Sequence, residues 1–287
     1  MDVLAETRQA SRRFGAFTAV SSADMLVRRN EVVGLLGANG AGKTTLIRLL
    51  LGLLPPSSGA VCLFGSPPSR LARRRVGYVP QTLGLYAGLT VAENWAFTAT
   101  AFGNASAPVP ERIAAWEHEL VSSLPLGTQR QVAFAVALSH EPELLVLDEP
   151  TSGVGPLGRA RLWEEIRRAV DHGAGAFVTT HNMEEAEQCD RLVVMADGKV
   201  VGRGTAAKIT HGIKVAEVRC KDWHRAFRLL DASGFSVQVH GQTIRVDASA
   251  ARIGELLSRE GIDATIDVVP ANLEEAFVAM VSTPAPR

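Results

Sequence analysis

An α/β domain carrying a helical insertion, followed by a small α+β domain, is the architecture this sequence predicts, on three observations. Up to about residue 205, short β-type apolar runs alternate with helical stretches, the pattern of a mostly parallel sheet covered on both faces. From Leu83 to Ser139 that rhythm gives way to mostly helical sequence. From Lys214 it changes again, to the order β-α-β-β-α-β. The predicted domains are therefore 1–205, with the insertion over about 83–139, and 206–287, the last residues STPAPR forming a loose tail.

The elements follow in order. Glu31–Leu36 is an apolar strand that runs into GANGAGKTT, and Thr45–Leu51 continues as helix. Val61–Phe64, Val76–Val79, Leu144–Leu147, Ala176–Thr179 and Leu192–Met195 are further short strands, and Asp197-Gly198 between apolar runs is a hairpin turn. In the insertion, Thr90 and Glu93 form a T-x-x-E capping box that opens a helix. A stretch with Pro108 and Pro110 separates it from the next helix. The second domain reads as strand Lys214–Cys220, helix Asp222–Ala232, strand Phe235–His240, a turn at Gly241-Gln242 and strand Thr243–Asp247. Helix Ser249–Glu260 (Ser249 as N-cap), strand Asp263–Val269 and a last helix from Asn272 to about Val281 complete it. That order is ferredoxin-like.

Composition bounds the function. With 46% hydrophobic and 21% charged residues the chain can build a core, and the disorder signature is absent. Lys+Arg and Asp+Glu are equal at 30 each, so bulk charge favours neither nucleic acid nor an anionic membrane surface. Cys62, Cys189 and Cys220 are widely spaced, with no CxxC pair and no His/Cys cluster. Neither a zinc site nor a disulfide framework is expected. The start, MDVLAETRQASRR, lacks the apolar core of a secretory signal. The apolar stretch Leu46–Leu54 is broken by Arg48 and Gly52 and falls short of the roughly 20 residues that span a bilayer.

Gly37-Ala38-Asn39-Gly40-Ala41-Gly42-Lys43-Thr44 matches G-x-x-x-x-G-K-[ST] in full. Glycines let a backbone wrap phosphate oxygens, and N–H groups at the helix start point at them. Lys43 is placed to reach the β- and γ-phosphates, and the Thr44 hydroxyl to ligate Mg²⁺. The loop follows an apolar strand and opens a helix, the context such a site requires. A triphosphate site also needs a carboxylate for the metal and a group to orient water. Leu144-Leu145-Val146-Leu147-Asp148-Glu149-Pro150 supplies both at one strand end: Asp148 for Mg²⁺, Glu149 as general base. His181 follows the Ala176–Thr180 run and is a candidate for the γ-phosphate; alone, a histidine beside an apolar strand is more often structural.

Over residues 1–205 these segments resemble the nucleotide-binding subunit of an ABC transporter, and they occur in that family's order. GANGAGKTT, continuing to Thr45, is similar to the Walker A segment, and LLVLDEP to Walker B with its following glutamate. Gln81 stands at the Q-loop position, Thr180-His181 at the switch histidine, and Phe14 where the family stacks an aromatic ring on adenine. The resemblance implies ATP and Mg²⁺ as cofactors, with Gln81 and His181 serving catalysis and Gln81 also the metal. It implies a helical insertion that meets membrane-spanning permease subunits, and a second cassette paired head to tail in a homo- or heterodimer. The family's LSGGQ reads Leu124-Pro125-Leu126-Gly127-Thr128 here. Pro125 removes a hydroxyl, while Gly127 and the following helix start keep backbone N–H groups for the partner's phosphate. The D-loop reads Ser152-Gly153-Val154-Gly155, without the usual carboxylate at 155. The LPLG form, and Pro270-Ala271-Asn272-Leu273-Glu274-Glu275-Ala276-Phe277, are similar to type-2 drug and polysaccharide exporters. Leu273, Phe277 and Met280 also make an ordinary core-facing stripe.

The function implied is an ATPase subunit of an ABC exporter, held on the cytoplasmic face of the cell membrane through its permease. Two alternatives stay open: a hydrolysis-poor cassette regulating an active partner, which Pro125 and Gly155 keep alive, and a soluble non-transport ABC ATPase. Arg70–Arg75 (RLARRR) reads as a solvated helix face before a strand, and no nucleic-acid partner is expected. Trp95, Trp116, Trp163 and Trp223 are expected to pack, with Trp95 the one placed to meet a membrane partner.

Overall fold

The computed structural model describes residues 2–103 and 107–282; the predicted tail beyond Ser282 lies outside them. Strands β1 (Val3–Phe14) and β2 (Phe17–Arg28) form a long hairpin before β3 (Val32–Leu36) and helix α1 (Lys43–Leu50). Next come β4 (Ser58–Leu63), the short α2 (Arg70–Arg73) and β5 (Val76–Val79). The insertion holds α3 (Val91–Ala101), α4 (Glu111–Ala114), a 3₁₀ turn at Val121–Ser123 and α5 (Leu126–Leu138). The first unit closes with β6 (Leu144–Asp148), α6 (Pro156–Asp171), β7 (Gly175–Thr180), α7 (Met183–Glu187), β8 (Arg191–Ala196) and β9 (Lys199–Gly204). The division between two compact units falls between Arg203 and Gly204.

One nine-stranded sheet runs β4-β1-β2-β9-β8-β3-β7-β6-β5. Residues of β3, β6 and β7 are buried throughout, which is why they read as continuous apolar runs rather than alternating ones. Their parallel register pairs Leu36 with Thr180 and Asp148 with Thr179, so three strand ends come level on one edge. α1 buries Leu46, Ile47, Leu49 and Leu50 in the core beneath that edge. Asp197 and Gly198, both at positive φ (47° and 75°), make the β8–β9 turn.

The sheet is less parallel than the sequence predicts, because β4-β1-β2 is an antiparallel wing. β1 and β2, each 12 residues long, escaped the periodicity reading for a physical reason. The β1–β2 register shifts repeatedly, and Gln9 and Ser22 sit at positive φ, so inward and outward residues fall out of step. Gly59 meets the same irregularity: at φ +79°, a Cβ there would stand 2.2 Å from the Gln9 carbonyl oxygen.

In the insertion, Val91, Trp95, Ile113, Val121, Leu124, Val132 and Ala135 form a local core. Trp95 belongs to it, buried, with its indole N–H donating to the Ala107 carbonyl at 2.9 Å. It therefore packs, while Tyr86 and Phe97 are exposed on the insertion, 5.1 Å apart edge to face. α2 buries none of its residues, as a solvated helix should; Arg73 donates to the Leu51 carbonyl, and Arg74, just past the helix, to the Ala101 carbonyl. The capping box is complete: the Thr90 hydroxyl accepts from the Glu93 N–H at 3.1 Å, and the Glu93 carboxylate accepts from the Thr90 N–H at 2.8 Å.

The second unit comprises α8 (Ala206–Thr210), β10 (Lys214–Cys220), α9 (Trp223–Ala232), β11 (Val237–His240) and β12 (Thr243–Val246). α10 (Ala250–Arg259), β13 (Ala264–Pro270) and α11 (Leu273–Ser282) follow. Its four strands lie in the order β11-β12-β10-β13, every neighbour antiparallel. α9 and α10 set Ala226, Leu230, Ile253 and Leu257 against Ala216, Val218, Ile244 and Val246 of the sheet. Leu273 is buried on α11, while Phe277 and Met280 are half-buried. Asn272 and Glu275 cap each other at that helix start, and Glu275 pairs with Arg245 at 2.8 Å.

Thr90→Ala removes an N-cap hydroxyl and is expected to destabilise by about 1 kcal/mol. Urea unfolding followed by circular dichroism should give a lower midpoint with unchanged slope; an unmoved midpoint would show that the cap contributes nothing.

Candidate functional site

The loop from Gly37 to Gly42 leaves the level edge of the sheet and turns into α1. Gly40 (φ 84°) and Gly42 (φ 100°) adopt the left-handed conformation that glycine tolerates. Gly42 is the N-cap of α1, and a Cβ on it would meet the Ala19 carbonyl oxygen at 2.5 Å. The first N–H groups of α1 thus face the loop, which makes an anion cradle. Lys43 is buried, its ammonium donating to the carbonyls of Gly37 (2.7 Å) and Ala38 (3.2 Å) and lying 3.2 Å from Glu149 Oε1.

A chain of hydrogen bonds then runs from the start of α1 across two strand ends, those of β6 and β7. The Thr44 hydroxyl donates to Asp148 Oδ2 at 2.9 Å, and the Thr179 hydroxyl donates to Asp148 Oδ1 at 2.7 Å. The Glu149 N–H donates to that same Thr179 hydroxyl at 2.9 Å. Glu149 has φ 50°, costly for a side-chain-bearing residue. Its backbone is gripped on both sides, since its carbonyl accepts from Arg130 Nη1 at 3.0 Å. Arg130 is buried, and burial lowers its pKa against the opposing pull of Glu149. The Glu149 side chain is buried, and one of its carboxylate oxygens, Oε1, meets both Lys43 Nζ and His181 Nδ1, the latter at 3.5 Å.

These groups open onto a cavity of about 370 Å³ lined by Phe17, Ala19, Ala38, Asn39, Gly40, Gly42, Lys43, Thr44, Thr45, Gln81 and Glu149. Most of the sequence-predicted residues thus meet in one place. Ala41 is buried behind the loop, and Gly37 abuts the Met195 carbonyl. Phe14 is not on the cavity wall; its ring lies under the Arg12 guanidinium at 4.7 Å, and Phe17, its cross-strand neighbour at the hairpin tip, lines the cavity instead. Gly127 is also elsewhere, in the first turn of α5 beside Val154, where Pro125 occupies the N-cap without a side-chain cap. A larger hollow, about 680 Å³, is lined by Arg29, Arg112, Glu143, Glu165 and others. There Glu143 pairs with Arg29 and with the adjoining Arg75, and Glu165 with Arg112, and none of the loop or strand-end residues reaches it.

Sequence reasoning missed Phe17, Arg130, Thr151, Thr179 and Glu185. Thr179 looked like one more β-branched residue of a buried strand. Glu185 lies in a short helix, Met183–Glu187, that no sequence pattern singled out. Only their buried polar contacts set them apart. For a divalent cation, the hydroxyl of Thr44 beside the carboxylate of Asp148 is a hard oxygen pair next to an anion cradle, the donor type Mg²⁺ takes when phosphates complete its shell. Among the described residues no group of three or more His, Cys, Asp or Glu side chains gathers as a metal site of its own.

Comparison with known proteins agrees with this geometry. A family profile described as ABC transporter matches residues 20–152. "Probable multidrug ABC transporter ATP-binding protein YbhF" of Escherichia coli (strain K12) is 38% identical over 216 residues, 71% of this chain; the chain spans only 37% of that relative's length. "Nod factor export ATP-binding protein I" of Rhizobium etli is 33% identical over 286 residues, 94% of this chain and 90% of that one. A solved structure titled "Structure of ATP binding subunit of ABC transporter" superposes with a TM-score of 0.65 at 29% identity, covering 72% of this chain and 91% of that one. With one-third identity maintained along nine-tenths of a relative's length, and a phosphate-type loop set level with Asp148 and Glu149, the chain belongs to the ABC transporter family, among its ATP-binding proteins.

Proposed function

We propose that this chain binds and hydrolyses ATP to drive an ABC exporter whose membrane-crossing part is supplied by separate subunits. The observation that carries the proposal is the bonded run Thr44–Asp148–Thr179–Glu149, with Lys43 and His181 on the Glu149 carboxylate. Export rests on the relatives' names, which are those of multidrug and Nod factor export proteins. Among the described residues no helix is long and apolar enough to cross a membrane. The proposal places the chain on the cytoplasmic face through its permease, paired with a second cassette.

Each residue then has a task. The loop from Gly37 to Thr44 and the following Thr45 cradle the phosphates through backbone N–H groups, and Lys43 adds a fixed charge. Mg²⁺, held by Thr44 and Asp148 with Gln81 at the cavity wall, would neutralise phosphate charge. Glu149 takes the proton of the attacking water, and its strained, doubly bonded backbone fixes where that carboxylate stands. His181 orients the same carboxylate and meets the γ-phosphate. Phe14 and Phe17 at the hairpin tip offer rings to the base. Gly127, at the α5 start, faces the second cassette's nucleotide. Positioning and charge supply the rate, as phosphoryl transfer needs little else from a protein.

A second reading, a hydrolysis-poor cassette beside an active partner, draws on two bare helix starts. Pro125 at α5 and Gly155 at α6 each cap without a side-chain hydrogen bond.

Glu149→Gln should lower turnover at least a hundredfold, as loss of a general base does, while Mg·ATP binding stays within about twofold. Parent-like hydrolysis would remove Glu149 from the role, and absent hydrolysis in the parent with its permease would favour the second reading. Lys43→Ala should weaken binding itself, read by equilibrium titration with a fluorescent ATP analogue. Replacing Phe14 and Phe17 together by Ala should weaken binding about tenfold, a base–ring stack being worth about 1–3 kcal/mol. Unchanged affinity would exclude the hairpin tip from the nucleotide site.

A further inference from the structure

Glu185, in α7, is 3% exposed, and the proposed chemistry assigns it no task. Its two carboxylate oxygens hold two different segments. Oε1 accepts from the Thr151 hydroxyl, two residues beyond Glu149, and Oε2 accepts from the Thr180 hydroxyl at 2.7 Å, the residue before His181. Arg159 of α6 stands 3.4 Å from Oε1 and so balances the buried charge. The Thr180 hydroxyl in turn accepts from the Asn182 N–H at 2.9 Å, which fixes the turn carrying His181. A buried carboxylate with three partners costs too much to be incidental packing; an apolar side chain would fill the space more cheaply.

The two anchored segments bear the two groups that face each other across the site. His181 Nδ1 lies 3.5 Å from Glu149 Oε1, and the chain leaves each of those residues toward a hydroxyl held by Glu185. Resting on the reading of Glu149 and His181 as a hydrolytic pair, we propose that Glu185 is a positioning residue for that pair: it ties the exit of β6 to the exit of β7 and so sets the His181–Glu149 separation. Through Arg159, four residues past Gly155, it also joins the start of α6 to the same clamp. Movement of the Ser152–Gly155 segment by an adjoining cassette is then delivered to His181 by hydrogen bonds, even though position 155 has no carboxylate.

The test is a double-substitution cycle in the full chain, since residues that act as a unit give non-additive losses. Glu185→Ala should lower kcat about tenfold with KM and Mg·ATP affinity within twofold. In a His181→Ala background the same change should cost less than twofold. Glu185→Gln, which keeps one acceptor and adds a donor for the hydroxyls, should recover activity to within about threefold of the parent. Glu187→Gln, exposed on the same helix, serves as the control and should behave as the parent. Equal losses from Glu185→Ala in both backgrounds, or a loss of ATP affinity matching the loss of turnover, would overturn the proposal. The imidazole ¹H–¹⁵N signals of His181 give a readout independent of hydrolysis. They should shift in Glu185→Ala and Thr180→Val but not in Glu187→Gln, and signals unmoved in all three would overturn the clamp. Should the parent not hydrolyse ATP even with its permease, the hydrolytic reading fails, while these signals still decide whether Glu185 sets the position of His181.

Discussion

The hydrogen bond from the Thr179 hydroxyl to Asp148 is the contact on which the site depends, and it exists because β6 and β7 are parallel and in register there. Asp148 and Thr179 are Cα partners, and Leu36 is level with Thr180 one strand further along. A slip of one residue would turn every side chain on that strand to the opposite face. Asp148 would leave Thr44, and Glu149 would lose the hydroxyl that receives its N–H. Register is secured from below, because β3, β6 and β7 are apolar on both faces and a shifted strand would bring polar ends into the core. The hydrophobic layer therefore sets the polar geometry.

Burial then makes that geometry stiff. Lys43, Asp148, Glu149, Arg130, Thr179 and Glu185 are all buried, and each has a named partner. Buried polar groups left unpaired cost about 1–3 kcal/mol each, so the set tends to hold together or fail together. Glu149 shows the consequence: a left-handed backbone persists in a residue with a side chain because Thr179 and Arg130 hold its N–H and carbonyl. Cys189 marks the contrasting kind of burial. Burial pushes its thiol up to about 12, and it sits against Gly34 where a Cβ would stand 2.6 Å from the sulfur. It is packing, and unreactive.

Much of this was legible in the sequence, for identifiable reasons. Apolar strands buried on both faces are continuous runs, so β3, β6 and β7 could be placed, and the glycine loop between β3 and α1 announced its own backbone. The second unit was legible because its amphipathic helices and caps, such as Ser249 and Asp222, follow local rules. The antiparallel wing was not, because bulges break the period-2 alternation on which strand reading relies. Thr179, Arg130 and Glu185 escaped for another reason: their importance lies in partners 31, 19 and 34 residues away, and no local pattern encodes such pairs. Phe14 and Phe17 show the limit within a motif. The sequence singled out Phe14 for a ring at the nucleotide, whereas Phe17, its cross-strand neighbour, lines the cavity and Phe14 lies under Arg12, a contact no local pattern reveals.

The two departures from the family's pattern take on a common physical meaning once the contacts are known. At Pro125 and at Gly155 a polar side chain is missing; at Pro125 the backbone N–H groups of the α5 start can donate where a hydroxyl would, whereas at Gly155 no backbone donor stands in for a carboxylate. The segments they open also touch: Gly153 sits against Leu126, with a would-be Cβ 2.7 Å from Leu126 Cδ2, and Val154 lies beside Gly127 and Gly158. Contact between the α5 start and the loop after Glu149 is thus made by shape and apolar packing, and continues inward through Arg159 and Glu185. Packed contacts of this kind are insensitive to salt, whereas a bridge between exposed charges is screened within about 10 Å at 0.1 M. The absence of a carboxylate at 155 therefore leaves the α5 start and the loop after Glu149 in contact. That contact is steric, and its strength depends on Leu126 and Gly153 remaining the sizes they are.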